Sequence, residues 1–173
     1  TPNTTPPLSF NNNIDPKTGT HAIVRVRMIK FDVEKVWKAL GVKKTTGTVK
    51  NRGELTSWGF SGKGRGFSVV RNGRELELNK SFLTYDPRER FIGVEVSFDA
   101  TLDDLMDVDG KKQSANNFYK RDIETLAEDE NLKEIEFLNK LPELVSESEE
   151  LLIKISTSIT KKMNTLLQQI RTY

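Results

Sequence analysis

The sequence predicts an α+β fold: a mixed β-sheet with a β-α-β module, followed by a C-terminal helical extension. Three observations carry this. Apolar and polar residues alternate with a period of two over residues 21–30 (HAIVRVRMIK) and 91–98 (FIGVEVSF), the pattern of half-buried strands. Two short runs, FSVVR and RELEL, flank Asn72-Gly73, a pair suited to a type I′ hairpin turn because both central positions need φ > 0. From Thr101 the spacing switches to three and four and ends in the stripe Leu152, Ile155, Ile159, Met163, Leu166 and Ile170, the signature of a long amphipathic helix.

Taken in order, residues 1–20 contain four of the six prolines and an Asn run, which excludes a helix and reads as an extended linker. In the strand over 21–30, Val24, Val26 and Met28 face one side, and Arg25 and Arg27 the other. Asp32 is placed to cap a helix whose apolar positions are Val33, Val36, Trp37 and Leu40, with Gly41 as its stop. Residues 42–66 are rich in Gly, Lys and Thr, which predicts a long connection holding a short strand near residues 57–60. The hairpin follows, then a turn at Asp86-Pro87, then the strand over 91–98. Leu102, Leu105 and Met106 predict a short helix ending in the loop 108–113. A second helix is expected over 115–140, with Ile123, Leu126, Ile135 and Leu138 on its apolar side and a break at the acidic run 128–130. Pro142 is expected to separate it from the last helix. The resulting domains are a linker over 1–20, an α+β unit over 21–114 and a helical, coiled-coil-like extension over 115–173.

Composition narrows the function. The 173 residues are 35% hydrophobic and 30% charged, which fits one folded core rather than disorder. No apolar run approaches the roughly eighteen residues of a membrane helix, and no secretory leader pattern opens the chain. The chain begins at Thr1 and reads as a piece of a longer polypeptide. There are no cysteines, so disulfides and thiolate chemistry are excluded and a reducing cytoplasm fits. The single histidine, His21, offers little imidazole chemistry and reads as structural. The near-neutral charge of +2 hides an asymmetry: residues 1–100 carry a net +7 and residues 101–173 a net −5, so the two parts face different partners.

Few motifs are chemical. Residues 59–66 (GFSGKGRG) have the glycines of a phosphate-cradling loop, but no GK[ST] and no helix follows, so they read first as a flexible connection. Lys43, Lys44, Lys50, Arg52, Lys63, Arg65, Arg71 and Arg74, interleaved with Trp58, Phe60 and Phe67, could track a phosphate backbone and stack bases. Equally, they could form a solvated or domain-facing surface. Asp103, Asp104, Asp107 and Asp109 lack the order of a calcium loop and read as a solvated face. Glu75 and Asn79 match a Glu-x-x-x-Asn pattern only formally, since they lie on a strand. The loop Asp109-Gly110-Lys111-Lys112-Gln113 presents two ammonium groups and an amide just after a helix. Such a lysine can neutralise a terminal phosphate.

In order, GFSVVRNGREL (66–76), RFIGVEVSFDATLDDLMDV (90–108) and KKQ (111–113) resemble the region downstream of the nucleotide domain in prokaryotic GHKL-superfamily ATPases, the group of gyrase, heat-shock chaperones, histidine kinases and MutL. The matching positions are Arg71, Asn72, Arg74 and Glu75, then Gly93, Glu95, Val96 and Phe98, then Leu102, Asp103 and Asp104, then Lys112 and Gln113, within about residues 20–120. The resemblance implies a transducer domain that sends a loop lysine to the γ-phosphate held by its neighbour. Lys112 takes that role by position, with Gln113 supporting the loop and Lys111 as the alternative.

The nucleotide domain's own Asp-x-Gly-x-Gly segment, Asn-bearing helix and glycine-rich lid are not in this sequence. The resemblance therefore implies ATP and Mg2+ held by an N-terminal ATP-binding domain of the same polypeptide, and a chain that does not hydrolyse ATP alone. The further expectation is that the helical extension mediates either a homodimer or coupling to a further domain. The competing readings are a nucleic-acid-binding module using residues 43–74 and a helical assembly adaptor.

Overall fold

The computed structural model describes residues 3–4, 8–15, 20–39 and 65–170. Among them one mixed sheet runs in the order β1-β3-β6-β4-β5, with β2 also paired to β3. The strands are β1 (Asn3–Thr4), β2 (Leu8–Asp15), β3 (Thr20–Lys30), β4 (Phe67–Arg71), β5 (Arg74–Asn79) and β6 (Ile92–Phe98). The helices are α1 (Val33–Ala39), α2 (Asp103–Met106), α3 (Ile123–Asp129), α4 (Glu134–Asn139), α5 (Leu141–Leu144) and α6 (Glu147–Gln169). The α+β class is as the sequence predicts.

Residues 3–4 and 8–15 depart from the linker expected there. Both stretches pair antiparallel with β3, Asn3 opposite Lys30 and Leu8 opposite Val26. Backbone pairing needs no apolar alternation, so the Asn-rich stretch satisfies its N–H and C=O groups in the sheet. β3 and β6 are antiparallel neighbours, and β4 lies parallel to β6. That parallel pair is joined through the β4–β5 hairpin and a 3₁₀ turn at Pro87–Phe91, capped by Asp86.

The local chemistry explains the elements. Asp32 accepts from the backbone N–H of Glu34 and Lys35 and starts α1 as expected. Asn72 and Gly73 take φ of 48° and 79°, the left-handed pair that a type I′ turn requires. At Gly93 the reason for glycine is space, since a Cβ there would come within 2.9 Å of Ile29 Cγ1 on the neighbouring strand. Trp58, Phe60, Gly41 and the strand expected near 57–60 lie outside the described residues.

The core lies on one face of the sheet. Val24, Val26 and Met28 of β3, Phe67 and Val69 of β4, and Val94, Val96 and Phe98 of β6 are buried there, while Arg25 and Arg27 remain exposed. Leu152, Ile155, Ile159, Met163 and Leu166 of α6 belong to the same cluster. The long helix is thus the lid of the sheet rather than a coiled-coil-like extension, and a boundary at 114 would cut through one core. Its apolar stripe is buried inside the molecule.

The helix expected over 115–140 is also corrected. Residues 115–122 are not helical, because Asn116 N–H and Asn117 N–H donate to the carbonyls of Asp107 and Met106 and tie the segment across the end of α2. Beyond them α3 ends at Asp129, in the acidic run where a break was expected, and the left-handed Asn131, with φ of 55°, separates it from α4; Lys140 in turn separates α4 from α5. Their Ala127, Phe137 and Leu141 pack with Ile153 of α6 in a second, smaller cluster. Ile135, expected on the apolar side, is 74% exposed. Pro142 sits within the first turn of α5, where a missing N–H costs nothing, and the break before α6 is made instead by Ser146 as its N-cap.

One buried ion ties the helical part down. Arg121, only 3% exposed at its side chain, pairs with Glu149 at 3.0 Å. It also donates to the carbonyls of Asn117 and Tyr119 and lies over the Tyr119 ring at 3.7 Å.

Candidate functional site

β6 ends at Phe98, and Asp99 caps the short turn that leads into α2. The helix stops at Asp107, whose left-handed backbone lets its N–H reach the carbonyls of Asp103 and Asp104. The chain then closes a tight loop. Val108 bridges to Ala115, Asp109 N–H donates to Ser114 O at 3.2 Å, and Lys112 N–H donates to Asp109 O at 2.9 Å. The Asp109 carboxylate accepts from the N–H of Gln113 at 2.6 Å and of Ser114 at 3.1 Å. Those donors hold it below the usual carboxylate range, the Gln113 N–H most of all.

Lys112 lies in this loop with φ of 55°, a conformation that non-glycine residues adopt only where surrounding bonds impose it. Its ammonium reaches Asp103 Oδ2 at 3.2 Å. The same carboxylate receives a two-pronged guanidinium: Arg71 Nε on Oδ1 at 2.5 Å and Arg71 Nη2 on Oδ2 at 2.7 Å. Arg71 and Asp103 are 18% and 20% exposed, Lys112 42%, so the lysine lies on the solvent side of the group. Lys111 and Gln113 side chains are exposed.

Around this centre the hairpin and the strand end are tied together. Asn72 N–H donates to Phe98 O, and Ala100 N–H donates to Asn72 Oδ1 at 3.1 Å. Ala115 N–H, at the foot of the loop, donates to Glu77 of β5 at 3.2 Å. Three segments far apart in sequence thereby meet within hydrogen-bonding distance.

The basic stretch fares differently. Lys43, Lys44, Lys50, Arg52 and Lys63 lie outside the described residues. Arg71 is engaged by Asp103 and is not a free cation for nucleic acid, while Arg74 is exposed at the hairpin. Phe67 cannot stack a base, because it is 1% exposed and packs on Phe82 with ring centres 4.9 Å apart. Three of the four aspartates serve separate partners: Asp103 holds Arg71 and Lys112, Asp107 accepts from Asn116, and Asp109 holds the loop. Two partners of the site were missed by sequence reasoning, the pairing of Arg71 with Asp103 and the role of Asp103 as anchor of Lys112. A basic residue in one motif and an acidic one in the next were the signal available.

No family model, curated protein or solved structure matches the chain. Among the described residues no helix is long and apolar enough to cross a membrane.

The hydrogen bond from Arg71, and then that from Lys112, hold the Asp103 carboxyl below its ordinary value. A carboxyl depressed in the folded state stabilises the fold above its unfolded pKa of about 3.9, and that contribution is lost as pH falls through the folded value. Asp103→Asn mimics the protonated form. Thermal melts should therefore show the Tm gap between wild type and Asp103→Asn at its widest near neutrality and closing below about pH 4. A gap independent of pH would show that the charge contributes nothing.

Proposed function

We propose that this chain is the transducer segment of a GHKL-type ATPase. It couples ATP binding and hydrolysis in a neighbouring domain to conformational change, and Lys112 contacts the γ-phosphate. The observation that carries the reading is the convergence at Asp103. The Arg71-Asn72 turn, the β6–α2 junction and the Lys112 loop, the three segments that bear the family resemblance, are joined there by side-chain and backbone hydrogen bonds.

The donors available fit one phosphate oxygen and no more. Lys112 offers an ammonium on a backbone fixed by Asp109, and no group of three or more potential metal ligands occurs among the described residues. The resemblance implies that adenine, ribose and Mg2+ are held by the N-terminal ATP-binding domain of the same polypeptide, and a homodimer would use surfaces other than the stripe of α6, which is buried against the sheet. The absence of cysteine suits a cytoplasmic setting.

The test is a lysine footprint on the polypeptide that includes the ATP-binding domain. With a non-hydrolysable ATP analogue, acylation of Lys112 should fall about tenfold, as expected for an ammonium held by phosphate, while exposed Lys111 reacts as before. Equal labelling of Lys112 with and without the analogue would overturn the assignment.

A further inference from the structure

We propose that Asp103 is an exchangeable resting anchor for Lys112, a built-in anion that the terminal phosphate of ATP must displace. The inference rests on the reading of Lys112 given above and adds the regulation of that contact.

Lys112 touches only one oxygen of Asp103, Oδ2, at 3.2 Å, and shares it with Arg71 Nη2 at the shorter 2.7 Å. Arg71 occupies both oxygens and is the more buried cation; Lys112 is the more exposed. When Lys112 leaves, Asp103 keeps its two-pronged partner, so departure does not strand a part-buried carboxylate without a counter-charge, the usual obstacle to breaking such a pair. The departure also needs no backbone change. The loop is pinned by Asp109 and by the Val108–Ala115 bridge, and only the four-carbon stem of Lys112 has to swing. In this arrangement the lysine is held back in the absence of triphosphate, and the strength of the hold is set by how much of Asp103 remains for it after Arg71. The nucleotide's apparent affinity is reduced by the fraction of molecules in which Lys112 is parked.

The test uses two substitutions with opposite expected signs, read by titrating the full ATPase with a non-hydrolysable ATP analogue. Asp103→Asn weakens the hold and should tighten binding by about two- to fivefold, the range of a half-exposed ion pair. Arg71→Gln leaves the whole carboxylate to Lys112 and should weaken binding by a similar factor, with Arg71→Lys restoring it. If Arg71–Asp103 were only a structural brace, both losses would weaken binding. A shift in the same direction, or no shift in either, therefore overturns the anchor.

Should Asp103→Asn not fold, the acylation rate of Lys112 without nucleotide decides: it should fall about two- to fivefold in Arg71→Gln, where Lys112 has the whole carboxylate to itself, and an unchanged or faster rate sinks the proposal. Failure of the footprint on Lys112 would remove the γ-phosphate reading itself. Protection of Lys112 with the wrong pattern of affinities removes the anchor alone.

Discussion

On the transducer reading proposed above, Lys112→Ala is expected to lower ATP turnover about a hundredfold, the usual scale for removing one charge-stabilising donor from a transition state, in the polypeptide that this reading joins to an ATP-binding domain. The substitution is clean for a structural reason. The backbone at 112 is left-handed, and Lys and Ala carry the same Cβ there, so the strain is unchanged. The bonds that shape the loop come from Asp109, Gln113, Ser114 and the Val108–Ala115 bridge, none of which uses the Lys112 side chain. What is lost is the ammonium alone.

For a contact stronger in the transition state than in the ground state, kcat should fall far more than nucleotide affinity, which should stay within about fivefold. Lys111→Ala, at an exposed position, is the control and should leave turnover within about twofold. Steady-state kinetics with an analogue titration measures both. Unchanged turnover in Lys112→Ala would remove the lysine from the reaction.

The second large effect is on stability. Ile159 is fully buried in the cluster that α6 shares with β3, β4 and β6. Truncating it to Ala leaves a cavity between helix and sheet and should cost about 2–5 kcal/mol, a large part of the roughly 5–15 kcal/mol of a whole domain. Urea denaturation should show a lower midpoint with an unchanged slope and one transition. A helix merely appended to the domain would melt separately, leaving the sheet's transition where it was. Ile135→Ala, on an exposed face of α4, should change the unfolding free energy by no more than about 0.5 kcal/mol.

These two cases mark where the sequence was legible and where it was not. The stripe from Leu152 to Ile170 announced α6, and the alternations in β3 and β6 and the Asn72-Gly73 pair announced the sheet, because one face of each had to be apolar. Periodicity says that a face is covered without saying by what, so the sheet is not legible as the partner of α6. Residues 3–4 and 8–15 left no such trace, since pairing at the sheet edge is made by backbone groups that every residue carries. Over 115–140 the helical spacing of Ile123 and Leu126 was real, but the bonds from Asn116 and Asn117 to the end of α2, and the left-handed Asn131, decide where helix is allowed.

At the site, the lysine loop could be picked out because glycine, charge and amide cluster in five residues. Its anchor could not be, because Arg71 and Asp103 are 32 positions apart and each reads as an ordinary surface charge. The buried Arg121 was invisible for the same reason: Glu149 lies 28 residues away.

The strand order sets a timetable for how the protein assembles. β3 finds its central neighbour only when β6 is available, with Arg25 opposite Ser97, and the face of both is completed by α6. A chain emerging from the ribosome therefore carries Val24, Val26 and Met28 without the cover of α6 while more than a hundred further residues are added, at roughly 5–20 residues per second. Pairings this distant in sequence pay their loop-closure entropy before any contact repays it, which makes folding slow. The interval before Leu152–Leu166 arrives is the one in which this apolar face is most open to aggregation.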